Sequence, residues 1–169
     1  MLLAIVSDTH MPKGGRRLPG DCLERLRRAD LIVHAGDLME VGVLDELEAL
    51  GPPVIAVHGN VDSPGLRRRL PEERVLEAEG ARIGVVHDAG RGHGRLERMR
   101  RRFGPAVQAV VFGHSHIPLH EENAGFEIFN PGSPTERRRA PRHTMGLAHV
   151  EAGKLTFELV TLAAPESRR

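Results

Sequence analysis

Three short apolar runs, each ending in a carboxylate or amide residue, constrain this chain more than any other feature. Leu2-Leu3-Ala4-Ile5-Val6 leads into Ser7-Asp8-Thr9-His10, Leu31-Ile32-Val33 into Ala35-Gly36-Asp37, and Val54-Ile55-Ala56-Val57 into Gly59-Asn60. Short continuous apolar runs bounded by turn residues read as strands buried on both faces. Between them, apolar residues recur at helical spacing. Leu23 and Leu26 follow Asp21, a residue suited to capping, and Val43, Leu44, Leu47 and Leu50 precede the breaker Gly51-Pro52-Pro53. Strand and helix in alternation predict a parallel sheet with right-handed crossovers, and so an α/β class.

The rest of the chain adds β-structure. A strand pair is expected at 74–78 and 82–86 about Gly80, then an amphipathic helix around Leu96, Met99 and Phe103, then a buried strand at 109–112. From Leu119 onward the pattern is β, with segments at 119–122, 126–129, 145–150 and 155–162. Turns at Ala124-Gly125 and Ala152-Gly153 join antiparallel neighbours, which predicts a second sheet stacked on the first. One domain is expected over residues 1–163, with a polar, frayed tail at 164–169.

Composition removes several function classes. With no Trp, no Tyr and five Phe, the chain can hardly build stacking platforms for single-stranded nucleic acid. A net charge of +1 provides no field to steer it toward nucleic acid or membrane. Arginine triplets at 67–69, 100–102 and 137–139 read as solvated faces. Cys22 stands alone, so neither a disulfide framework nor a thiolate metal site is expected. No stretch has the length of a membrane span and no cleavable leader is evident, so a cytoplasmic protein is expected.

In open α/β sheets, ligands bind beyond the carboxyl ends of the strands. There this chain carries Asp8 and His10, then Asp37, then Asn60, then His87, and finally His114 and His116. Taken singly, an Asp or Asn after a strand is more often a turn residue or a cap. Five strand ends carrying only oxygen and imidazole groups form a far more demanding pattern. Two hard cations about 3.5–4 Å apart need a shared carboxylate and further oxygen or imidazole ligands. The alternation in Asp8-Thr9-His10 and His114-Ser115-His116 lets two side chains of one loop address neighbouring ions. Gly36, Gly59 and Gly113 precede three of these residues and permit close backbone approach.

Ser7-Asp8-Thr9-His10, Ala35-Gly36-Asp37, Gly59-Asn60-Val61-Asp62, His87, Gly113-His114-Ser115-His116 and Asn130-Pro131-Gly132-Ser133 together resemble the calcineurin-like metallophosphoesterases, in particular their small bacterial and archaeal phosphodiesterases. The resemblance implies a four-layer αββα sandwich of two stacked mixed sheets flanked by helices. It also implies two divalent metal ions, manganese first, with iron, nickel, cobalt or zinc as alternatives. One ion would take Asp8, His10, Asp37 and His116, and the other Asp37, Asn60, His87 and His114. Catalysis would run through a water activated between the metals, with Asp37, Asn60 and His87 central and no side-chain nucleophile. The implied substrate is a small phosphodiester or nucleotide-like molecule. The alternative is a non-catalytic metal-binding scaffold for protein contacts, since a eukaryotic retromer subunit shares the fold. Oligomeric state is left open, and a homo-oligomer is compatible with the sequence.

Several positions depart from the family pattern or sit beside it. Val61 stands where larger members carry a histidine that helps protonate the leaving group, so activated diesters should turn over better than alkyl monoesters. Asp62 and Asp88 each have a supporting and a turn-capping reading. Ser133 is read first as part of a structural turn, with phosphate contact as the alternative, and His93 as a weak proton-donor candidate. Lys13, Arg16 and Arg17 could guide an anionic substrate. His34 and His58 are expected to be core histidines, because strand alternation turns them away from the crevice. His120, His143 and His149 are given no role.

Overall fold

The computed structural model describes residues 1–163; the tail expected at 164–169 lies outside the described residues. Strands β1 (Leu2–Val6), β2 (Leu31–His34) and β3 (Val54–Ala56) form the parallel unit that the apolar runs predict, with Leu3 opposite Leu31 and Ile32 opposite Val54. Helices α1 (Gly20–Arg28) and α2 (Val41–Glu48) are the crossovers. Along β1 the reason for a continuous apolar run is visible. Leu3 and Ile5 enter the core between the sheets, while Ala4 and Val6 enter the core beneath α1 and α2. Full burial of such a side chain contributes about 1.5–3 kcal/mol, so both faces of the strand demand apolar residues.

The second sheet takes β4 (Glu73–Ala78), β5 (Ala81–Val86), β6 (Ala109–Val111), β7 (Leu119–Asn123) and β8 (Phe126–Asn130), in the order β4-β5-β6-β8-β7. Helix α4 (Arg95–Phe103) covers its outer face through Met99, which packs with Val110, Phe112 and Ile128. Here the structure corrects the expected division. The β-rich C-terminal block does not form one sheet of its own. β9 (Thr144–Glu151) and β10 (Lys154–Thr161) return to the first sheet, giving the order β10-β9-β1-β2-β3. Between the sheets the rings of Phe129 and Phe157 stack at 4.5 Å. Three apolar layers thus separate helices, sheet, sheet and helix, the αββα sandwich.

Two local expectations also change. Asp21 does not cap α1, which starts one residue earlier after Pro19; its carboxylate instead accepts from the Ala163 amide at 3.0 Å. A short helix, α3 (Pro64–Arg69), contains the whole of the first arginine triplet in its last turn, capped by Ser63 with proline in its first turn. Among the described residues no helix is long and apolar enough to cross a membrane.

Candidate metal centre

The carboxyl ends of β1, β2 and β3 meet those of β5 and β6 along one rim, and the seven sequence-selected residues converge there. Five of them adopt left-handed backbone: Asp8 (φ 56°), His10 (46°), Asp37 (60°), His114 (69°) and His116 (60°). Non-glycine residues in that region cost about 1 kcal/mol or more each and gather where function demands a particular geometry. The turns are also tight. A Cβ on Gly113 would collide with the Ser7 hydroxyl and the Asp8 carboxylate, and one on Gly59 with the Asp37 carboxylate.

Two groups of donors result, Asp8 with His10 and His116, and Asp37 with His87 and His114, each within 4.8 Å. His116 Nε2 is 3.4 Å from Asp8 Oδ1, and His10 Nε2 is 3.9 Å from the same oxygen. Asp37 Oδ2 lies between the groups, 3.3 Å from His10 Nε2 and 3.2 Å from His87 Nε2. Asn60 Oδ1 is 3.0 Å from both His87 Nε2 and His114 Nδ1. Asp8, His10, Asp37, His87 and His116 are buried, whereas Asn60 and His114 are exposed.

Surrounding groups fix how these side chains present themselves. His87 Nδ1 donates to the Ala35 carbonyl at 2.8 Å, leaving Nε2 to face the centre. His116 Nδ1 donates to the Glu136 carbonyl, and His10 Nδ1 lies 3.0 Å from the Glu136 carboxylate. Carbonyl oxygens cannot donate, so those facing His87 and His116 set the imidazole tautomer, whereas the Glu136 carboxylate oxygen stands near His10 without completing a hydrogen bond. Ser7 Oγ donates to Asp8 Oδ2 at 2.7 Å, and the His114 amide adds a bond at 2.9 Å.

The electrostatics are those of a site short of positive charge. Burial pushes the Asp8 carboxyl up to about 6, against the opposing charge of His87 and the Ser7 hydroxyl. Burial acts in the same sense on Asp37, but the side chains of His10 and His87 and the Val61 amide outweigh it and hold Asp37 well below the usual carboxylate range. Burial works against charging His87, yet the hydrogen bond to Asp37 and the charges of Asp8 and Asp37 raise its pKa. His116 is driven down to about 4 by burial, partly opposed by its bond to the Glu136 carbonyl. Two nitrogens of this centre, His10 Nε2 and His116 Nε2, are buried with no hydrogen-bond partner among the described residues, as is Glu136 Oε2 beside them. Such atoms are rare unless a ligand takes them.

The neighbouring candidates sort themselves by contact. Asp62 is buried and accepts from the amides of Gly59 (2.7 Å), Asp37 (3.1 Å) and Met39 (2.6 Å), so it holds the Asp37 and Asn60 loops together. Ser133 is buried and spent on structure, donating to the Asp8 carbonyl at 2.8 Å. Asp88 caps its own loop through the Gly90 amide at 2.7 Å. His93 is exposed, and its carbonyl only receives Arg98. Arg16 is not free to guide substrate, because Glu136 engages it at 2.8 Å. His34 is the expected core histidine, bonded to Thr9 Oγ1 and the Gly36 amide.

His58 overturns its expectation. β3 ends at Ala56, so strand alternation does not reach it, and it is half-buried on a cavity of about 300 Å³ shared with Asn60, Arg67, Glu72, His87 and Asp88. A larger cavity of about 610 Å³ lies against α2 and holds none of the seven residues. Chemistry, rather than size, identifies the site. Sequence reading missed Glu136, whose only cue is an acidic residue set directly before an arginine run.

Residues 1–153 match the calcineurin-like phosphoesterase superfamily domain. A probable metallophosphoesterase of Methanothermobacter thermautotrophicus is 34% identical, covering 99% of this chain and 96% of its own length. A phosphodiesterase of Methanocaldococcus jannaschii is 25% identical over 78% of this chain and 83% of its own. Among solved structures, wild-type Vps29 of Entamoeba histolytica complexed with Zn²⁺ matches with a TM-score of 0.75 at 24% identity, over 95% of this chain and 99% of that one. At that identity the likeness is one of fold alone.

Proposed function

The chain belongs to the calcineurin-like phosphoesterase superfamily, and from that premise we propose that it is a phosphodiesterase working through two divalent cations. Asp8, His10, Asp37 and His116 would hold one, and Asp37, Asn60, His87 and His114 the other. The observation that carries this reading is the pair of buried, unpartnered nitrogens, His10 Nε2 and His116 Nε2, set against buried carboxylates. Leaving a buried polar atom unsatisfied costs about 1–3 kcal/mol, and a cation relieves that cost together with the carboxylate charge. Mixed oxygen and imidazole donors suit manganese, iron, nickel, cobalt and zinc alike, and manganese is placed first on the family resemblance.

When bound, such a pair supplies an acidified water and neutralises charge on the phosphoryl oxygens. The chain's own residues do the rest. Asp62 holds the Asp37 backbone in place, and His10, His87 and the Val61 amide keep its carboxylate ionised. Arg67 Nη2 donates to the Asn60 carbonyl at 2.7 Å and steadies that loop. The cavity beside Asn60 and His87 has room for an ester arm of a small phosphodiester or nucleotide-like substrate. Val61, 40% exposed, offers no proton to a leaving group. A general acid contributes about 10²–10⁴-fold, most for poor leaving groups, so diesters with good leaving groups are the favoured class. The relative named a phosphodiesterase supports the same choice.

The test is metal analysis paired with hydrolysis of bis-p-nitrophenyl phosphate under added Mn²⁺. We expect two equivalents of metal, and a loss of about 100-fold or more for Asp37→Ala or Asn60→Ala. Full metal-dependent activity in either variant would sink the proposal. Two metals bound with no turnover would favour the protein-contact scaffold instead.

A further inference from the structure

We infer that Glu136 is the positioning residue of the deeper half of the site, holding His10 and His116 in the tautomer that can accept a cation; the inference rests on the metal-dependent reading above. Glu136 lies in the loop after β8 and is half-buried. Its Oε2 is 3.0 Å from His10 Nδ1, and its backbone carbonyl accepts from His116 Nδ1. Its amide donates to Ser133 Oγ at 2.9 Å, and that hydroxyl donates to the Asp8 carbonyl at 2.8 Å. All three members of the Asp8, His10 and His116 group are therefore tied to one stretch of chain. Among the described residues, Glu136 makes no hydrogen bond to Asn60, His87 or His114.

The consequence is chemical. A neutral imidazole has one proton: His116 places it on Nδ1 to meet the Glu136 carbonyl, and at His10 the negative Glu136 Oε2, 3.0 Å from Nδ1 though outside hydrogen-bond geometry, favours a proton on Nδ1 over a lone pair there. Both rings are thereby left with their lone pair on Nε2, the nitrogen without a partner. A histidine held this way needs no tautomer exchange on binding, and a carboxylate on its far nitrogen makes the near one a stronger donor. Arg16 completes the arrangement. Its Nη2 takes Glu136 Oε1 at 2.8 Å, so the carboxylate stays aimed at His10 and is kept from swinging inward as an extra ligand. The braces on His87 and His116 are backbone carbonyls, of Ala35 and Glu136, so the Glu136 carboxylate beside His10 is the one brace that a side-chain substitution can remove.

The experiment titrates metal-free wild type, Glu136→Ala and Glu136→Gln with Mn²⁺ by chelator competition. It also records ¹⁵N spectra of the histidine rings without metal. Removing an outer partner of a metal-binding histidine typically weakens binding about 10–100-fold. Glu136→Ala should lose that much at one of two sites and nothing at the other, and its His10 ring should become a tautomer mixture. In Glu136→Gln the one remaining oxygen pairs with Arg16, which can only donate, and the amide NH₂ turns toward His10, so this variant should lose the single tautomer and the affinity as Glu136→Ala does. Wild-type affinity at both sites in Glu136→Ala would overturn the inference, as would equal losses at both with the His10 tautomer unchanged. Should Glu136→Ala fail to fold, unchanged affinities in Glu136→Gln would overturn it. Wild type binding no pair of cations would instead bring down the metal reading itself, and this inference with it.

Discussion

The two halves of the site share a chemistry and differ in surroundings. Asp8, His10 and His116 are at most 5% exposed, braced by Ser7, Ser133, Thr135 and Glu136. In the other half Asp37 and His87 are buried while Asn60 and His114 reach solvent beside the smaller cavity. Charge follows the same division. In the deep half burial dominates, pushing Asp8 up to about 6 and His116 down to about 4. In the outer half Asp37 and His87 answer one another, one held low and the other raised. A closed half with fixed partners keeps its geometry, and an open half can meet a substrate.

Crowding the deep half is expected to have the largest effect on stability. Gly113→Ala would force a Cβ against Ser7 and Asp8, whereas a Cβ on Gly92 meets open space. Urea unfolding should show a loss of about 2–3 kcal/mol for Gly113→Ala and a change within about 0.5 kcal/mol for Gly92→Ala. Equal values would mean that the deep half is looser than its contacts indicate.

A smaller contrast separates two histidines of one loop. In metal-free protein, His116→Ala strips a buried ring and leaves the Glu136 carbonyl unpaired, for a loss of about 1–3 kcal/mol. His114→Ala, at an exposed position, should stay within about 0.5 kcal/mol. Denaturation in excess chelator measures both, and a reversed order would break the comparison outright.

The smallest expected effect is a pH dependence beneath the site. Burial lowers the His34 pKa from 6.5 to about 3, helped by the charge of His87. The folded value is depressed, so the unfolded chain takes up the proton first. Stability from this group is complete above 6.5 and drains away as pH falls toward about 3. Between pH 6.5 and 5.5 the loss should be about 1 kcal/mol. His34→Gln should remove that part of the slope in unfolding measured across this range, and an unchanged slope would show that His34 is charged in the fold.

What could be read from the chain depended on how local each signal was. β1 was legible because both of its faces are buried, which forces an unbroken apolar run at Leu3, Ala4, Ile5 and Val6. α3 escaped because six residues with one buried side chain, Leu66, carry almost no periodicity; Ser63-Pro64 was its only cue. His58 was misplaced because parity along a strand says nothing once the strand has ended. Arg16 read as free charge because Glu136, its partner, is 120 residues away.

By itself, the sequence determined the elements and the donor types at their carboxyl ends. Burial dictates apolar periodicity, and cation chemistry admits few side chains, so both are written residue by residue. Only the tertiary structure decided that β9 and β10 close the first sheet and that β5 and β6 deliver His87, His114 and His116 to the rim built by β1 to β3. It alone holds Asp8, His10, Asp37, His114 and His116 in left-handed backbone and sets Glu136 behind His10. Those features arise from contacts between distant segments, whose packing offsets a local cost that no short window of sequence would choose.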